Sequence, residues 1–337
     1  MRIYVPKTVG FLLLFTLLIV IGLVLLVFYQ AYGGRKLVNP LDRLKPLGQS
    51  SKTGKIQEVA GGSSSSKDVL TIVFYYEAYE SQEKALTDIE VLKGAIALVE
   101  PYRSLKDYIS YQVFTSDSKK CEVEKETQYL VCDKELIDSF KALGAERFKV
   151  ILMSQENFVS ASEQARGKNS WITLSTNPPA EVSSKRNEWM GLVLTKLLGY
   201  SLGLSYESGM DTIEPSIPPD AVIQSLSYNG KPNCAPNRET AARWWGGYAK
   251  IFPNIGFFQG CGGHKDYYYP QEGTLMSLNP KKEAYGLVSE DYLRGVLTCF
   301  YAKKDKMVFP AGKTATQSAS LSTCSEFMKE YPNFWVE

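Results

Sequence analysis

Hydrophobic and polar positions divide the chain into three stretches. Val9 to Tyr29 reads VGFLLLFTLLIVIGLVLLVFY, without a charge. At 1.5 Å per residue this run spans about 30 Å, the thickness of a hydrocarbon core. It has no polar face of the kind a surface helix carries. It ends in the bulky Val27-Phe28-Tyr29-Gln30 rather than in the small residues of a cleavage site. The pattern therefore predicts a short tail over 1–8 and an uncleaved transmembrane helix over 9–29. Residues 30–67 follow with Gly33-Gly34, Pro40, Pro46, Gly61-Gly62 and Ser63 to Ser66. That composition buries too little apolar surface to order itself and predicts a flexible linker.

The third stretch, 68–337, has the pattern of one folded body. Val69 to Tyr76 is rich in β-branched and aromatic residues and predicts a buried strand. Leu86, Ile89, Leu92, Ile96 and Val99 recur at helical spacing and predict a helix over 83–99. Tyr108–Thr115, Phe148–Met153 and Trp171–Ser175 are strand-like, with a helix expected over 134–143. This alternation predicts an α/β (α+β) fold with a twisted mixed sheet. A long helix is expected from Ser184 to Leu204. Beyond it the chain is loop-rich, with Pro215, Pro218, Pro219, Pro232, Pro236, Pro253 and Pro270, until a last helix over 289–301. A regular front half and an irregular back half joined by a helix imply a cleft.

Composition narrows the chemistry. With 44% hydrophobic residues the body can bury a core, and a net charge of +2 gives no support for nucleic-acid binding. There is one histidine, His264, so no two- or three-His zinc site can be built. A Ser-His or Cys-His catalytic pair has little room. Cys261-Gly262-Gly263-His264 reads as a bridged cysteine beside a loop histidine rather than half of a metal site. Lys196 and Ser201 are five apart on the expected helix, on different faces, which disfavours a Ser-Lys dyad.

The six cysteines form no Cys-x-x-Cys pair, and an even count fits three disulfides in an oxidising compartment. Sequential pairing, Cys121–Cys132, Cys234–Cys261 and Cys299–Cys324, is the simplest of the connectivities available. Arg35, Lys36, Arg43 and Lys45 after the apolar run outnumber Arg2 and Lys7 before it, which slightly favours a cytoplasmic body. The cysteines argue the other way. Long domains cross membranes with little regard to flanking charge. The expected location is thus the cell membrane, single-pass, with the C-terminal domain extracytoplasmic.

Lys196-Leu197-Leu198-Gly199-Tyr200-Ser201-Leu202-Gly203-Leu204-Ser205-Tyr206-Glu207 resembles the metzincin metalloprotease signature H-E-x-x-H-x-x-G-x-x-H. In that signature two histidines one turn apart share a helix face and reach one Zn²⁺, and the glutamate is the general base. Gly203 matches the glycine that ends the helix in a left-handed turn. The chemistry is replaced: the ligand positions hold Lys196, Tyr200 and Tyr206, and the base position holds Leu197. Glu272-Gly273-Thr274-Leu275-Met276-Ser277 resembles the Met-turn, with Met276 as its methionine. Cys234 and Cys261 between the two motifs resemble the disulfide of secreted metzincins. The helix also carries a core stripe of Trp189, Val193, Leu197 and Leu204, so Leu197 packs whether or not the resemblance holds.

The resemblance implies a metzincin-like zincin fold that has lost metal and base. The expected function is a membrane-anchored pseudoprotease, with no cofactor and no catalytic residue, that binds a peptide or protein. The expected cleft is lined by Trp171, Lys196, Tyr200, Tyr206, Met276 and the run Tyr267-Tyr268-Tyr269. Trp171–Ser175 is the edge strand expected to pair with an extended ligand. An active hydrolase with a non-standard site and a structural surface module are the alternatives.

Overall fold

Six strands form a mixed sheet in the order β1-β3-β2-β6-β8-β7. They are β1 (Ile56–Gly61), β2 (Leu70–Tyr76), β3 (Ile109–Ser116), β6 (Phe148–Ser154), β7 (Ala161–Ser162) and β8 (Asn169–Ser175). β3, β2, β6 and β8 are parallel, while β1 and β7 are antiparallel edge strands. A separate hairpin pairs β4 (Cys121–Val123) with β5 (Leu130–Cys132). The computed structural model describes residues 56–61, 68–133, 135–136, 139–140, 148–162, 169–207, 232–262, 264–277, 284–308 and 323–330. All of these fall in the second of two units, which divide at Gly48 and Gln49.

The period of two along each strand sorts the core into two layers. Ile72, Phe74, Ile151, Met153, Ile172 and Leu174 face α1 (Gln82–Leu98) and α2 (Arg186–Ser201). Val73, Tyr75, Phe148, Val150 and Leu152 face the β4–β5 hairpin and Phe140. Because both faces are covered, β2 and β6 are buried throughout. Ser81 caps α1 by accepting from the Lys84 N–H at 3.1 Å. Asp88 on α1 takes both arms of Arg186 at the start of α2, at 2.7 and 2.5 Å. This pair fixes the long helix across the first.

The back half is less irregular than its prolines suggest. Asn237 caps a helix, α3 (Arg238–Ile251), by accepting from the Thr240 N–H at 2.8 Å. Trp245 from α3 is buried and donates to the Gly256 carbonyl. α3 packs near the hairpin of β9 (Phe258–Cys261) and β10 (His264–Tyr269). α4 (Leu287–Gly295) continues as wide π turns to Tyr301, and α5 (Cys324–Glu330) closes the described chain. The disulfides are Cys121–Cys132, Cys234–Cys261 and Cys299–Cys324, the sequential pairing.

Three expectations need correction. The run 9–29 lies outside the described residues, and among the described residues no helix is long and apolar enough to cross a membrane. Among the described residues, then, nothing supports the transmembrane expectation. Part of the segment read as linker, Ile56–Gly61, is β1, so the folded body extends before Asp68. An edge strand is recruited through backbone groups, which a short run with only two β-branched residues can supply. Finally, Trp171–Ser175 is not the edge of the sheet. β7 lies outside it, with Ala161 opposite Thr173 and Ser162 opposite Ile172. A two-residue strand is too short to leave a pattern.

Candidate functional site

The end of α2 folds as its glycine dictates. Gly203 has φ +104°, which a side chain at that position would resist. The Gly203 N–H donates to the Tyr200 carbonyl and the Leu204 N–H to the Gly199 carbonyl, both at 3.0 Å. These two bonds are a Schellman cap, which satisfies the last carbonyls of the helix and turns the chain back. Tyr206 consequently stacks on Tyr200, with centroids 5.3 Å apart and planes 25° apart. Lys196, one turn before Tyr200, places its ammonium 5.4 Å from the Tyr206 ring centroid. The same ammonium donates to the Ser277 carbonyl at 2.7 Å.

The Met276 segment closes the junction. Met276 is fully buried, and its carbonyl accepts from the Glu207 N–H at 3.0 Å. The Glu207 carboxyl is buried between Thr274, whose hydroxyl contacts Oε2, and Asn233, whose Nδ2 donates to Oε1 at 3.0 Å. Asn233 also accepts from the Ser205 N–H and donates to the Ser205 carbonyl, each at 2.8 Å. Burial pushes the Glu207 carboxyl up to about 8, against the lowering pull of Thr274, Asn233, Ser289 and the Lys196 charge. The Tyr206 carbonyl is held by the Gly262 N–H at 2.7 Å, next to the Cys234–Cys261 bridge.

Lys196, Tyr200, Tyr206 and Met276 are thus brought together. They fill their space rather than line an open cleft: Tyr200 is 5% exposed and Tyr206 9%. Leu197 is buried in the helix–sheet core. Burial raises the Tyr200 phenol to about 12, and burial, Tyr200 and Tyr129 together raise that of Tyr206. Both rings are neutral over the physiological range.

Other expected cleft residues lie elsewhere. Trp171 packs against the opposite face of the sheet, with Val73 and Tyr75, because it is one residue out of phase with Ile172. Tyr267 stacks on His264 with centroids 4.2 Å apart, and Tyr268 packs in the α3 cluster. Tyr269 leans on Phe258 at 5.6 Å, and its phenol is raised by burial first, then by Glu272 and Glu207. Asn233, Thr274 and the Ser277 carbonyl escaped the sequence reading. Asn233 and Thr274 act through short polar side chains of a kind common in loops, and Ser277 through its backbone carbonyl, so none leaves a distinctive pattern.

The donor set does not fit a divalent metal. An ammonium repels it, neutral phenols are poor ligands, and Leu197 cannot move a proton. Among the described residues no group of three or more His, Cys, Asp or Glu is placed to hold a metal ion. No family model matches the chain, and no curated protein matches it.

Proposed function

We propose that the protein is a metzincin-like pseudoprotease that binds an extended peptide or protein segment along the outer edge of β7. The observation that carries this reading is the convergence of Lys196, Tyr200 and Tyr206 on the Met276 turn. A cation and two rings stand where the resemblance implies a cation and its ligands. The Lys196 ammonium supplies positive charge there without Lewis-acid chemistry. Further support comes from the order of elements: a mixed sheet with an antiparallel outer strand, then the long helix, the glycine turn and the methionine turn. An edge strand offers backbone donors and acceptors to which an extended chain adds. Three disulfides suit an oxidising compartment.

The test passes a random-sequence heptapeptide library over the immobilised full-length protein, with and without chelator. The Ala161 N–H is turned inward, donating to the Thr173 hydroxyl at 3.2 Å, so the outer edge is tested at the next residue. Retention should be unchanged by the chelator and lost on Ser162→Pro, which disrupts the outward-facing backbone there. Retention insensitive to this proline overturns the binding edge. Stoichiometric zinc by elemental analysis, with chelator-sensitive cleavage of the peptides, overturns the reading altogether.

A further inference from the structure

The β4–β5 hairpin reaches the segment that leads into the edge just assigned to the ligand. Its base is fixed. Cys121 and Cys132 are bridged, and the Lys120 and Cys121 N–H groups donate to the buried Glu77 carboxylate at 2.9 and 2.8 Å. Lys119 pairs with Glu156 at 2.7 Å, close in sequence to β7. The six-residue tip, Glu124 to Tyr129, is closed by the Glu124 N–H on the Tyr129 carbonyl and the Gln128 N–H on the Glu124 carbonyl. Gln128 sits at φ +57°, in the left-handed region that favours glycine.

Two contacts carry this tip to the edge. The Val159 N–H donates to the Gln128 carbonyl at 2.7 Å, and Tyr129 forms a parallel bridge with Val159. Val159 lies two residues before β7, the outermost of the described strands on that side of the sheet. The Tyr129 phenol also acts on Tyr206 electrostatically. The tip therefore holds the segment that leads into the strand edge.

We propose that the Glu124–Tyr129 tip is an intramolecular ligand of the β7 edge, holding the Val159 donor just before β7 with the Gln128 carbonyl and pairing Tyr129 with Val159. This rests on the peptide-binding reading above. An incoming segment must displace the tip, and the chain that does so best copies it: an extended peptide running parallel to β7, with an aromatic residue after the carbonyl that reaches Val159. The strained Gln128 makes the tip a weaker occupant than an unstrained peptide, so it is displaceable.

The probe is a fluorescein-labelled peptide with the sequence of Glu124–Val131, EKETQYLV. It is titrated into full-length wild type and into a variant whose residues 124–129 are replaced by Asn-Gly, the tightest hairpin turn. That variant keeps Cys121–Cys132. Removing a competing internal ligand should tighten binding at least about tenfold. Gln128→Gly, which relieves the left-handed strain, should weaken it below wild type. If the shortened chain fails to fold, Tyr129→Ala keeps the hairpin backbone and should tighten binding at least about threefold. Equal binding by wild type and the opened variants overturns the intramolecular ligand. The random library then separates the two ideas. If it is retained equally by all, edge binding stands and the internal ligand falls; if nothing is retained by any, both fall.

Discussion

The Lys196 ammonium donates to the Ser277 carbonyl at 2.7 Å, tying α2 to the turn after Met276 across 81 residues of chain. The Tyr206 ring covers the same ammonium. Lys196→Met keeps the aliphatic stem, removes the charge and leaves the carbonyl without this donor. The expected cost is about 1–3 kcal/mol, the range for stranding a partly buried acceptor of a charged donor. Chemical denaturation of wild type and variant measures it. An unchanged midpoint means the link is not part of what holds the turn.

Glu207 gives stability a pH dependence of defined sign. Its carboxyl is raised from 4.5 to about 8 in the fold, chiefly by burial. Above pH 4.5 the unfolded chain releases the proton while the folded chain keeps it. The stability contributed by the neutral carboxyl is therefore full below about pH 4.5 and lost as pH rises toward 8. Glu207→Gln matches the neutral carboxyl: its amide donates to Thr274 and its carbonyl accepts from Asn233. The variant should match wild type near pH 5 and exceed it near pH 8, by on the order of a few kcal/mol. Parallel melting-temperature profiles for the two proteins would count against this carboxyl.

Gly199 is in the helix because Tyr285 lies against it. A Cβ there would sit 2.5 Å from the Tyr285 Cε1. Tyr285 is fully buried, bonds the Thr195 carbonyl and meets the Tyr102 hydroxyl at 3.2 Å, so it has little freedom to move. Gly199→Ala gains about 1 kcal/mol of helix propensity but incurs about 1–3 kcal/mol of overpacking. A net loss of up to about 2 kcal/mol is expected by denaturant titration. A stabilised variant would place the ring elsewhere.

Arg186 opens α2, where the helix dipole disfavours a cation, and Asp88 offsets that. The Asp88 side chain is 2% exposed and that of Arg186 21%. Asp88→Asn strands a partly solvated guanidinium. The expected loss is about 2–3 kcal/mol, below the 3–5 of a fully buried pair. A loss under about 0.5 kcal/mol would put the pair among ordinary surface bridges.

The central strands and both long helices were legible because burial writes itself as apolar runs and helical spacing, as in Val69–Tyr76 and Leu86–Val99. Gly203 was legible because a positive φ demands a particular residue. β1 and β7 were not, since short edge strands depend on backbone pairing. α3 was hidden among prolines, although Asn237 before Arg238 was a capping signal. The face that Trp171 occupies is not legible, because it depends on strand register, which composition does not give. The Lys196, Tyr200, Tyr206 and Met276 constellation was legible only through the spacing of a motif. Its polar supports, Asn233 and Thr274, were not, because any small hydrogen-bonding residue reads alike in sequence.

The most direct measurement restores what the resemblance says was lost. In full-length protein carrying Lys196→His, Leu197→Glu, Tyr200→His and Tyr206→His, two imidazoles one helical turn apart and a third after the Gly203 turn meet above Met276. Zinc titration followed by isothermal calorimetry should find one tightly bound zinc per chain, with none bound by wild type. A folded variant that binds no zinc, or a wild type that binds it stoichiometrically, would contradict the metzincin-like reading of this helix.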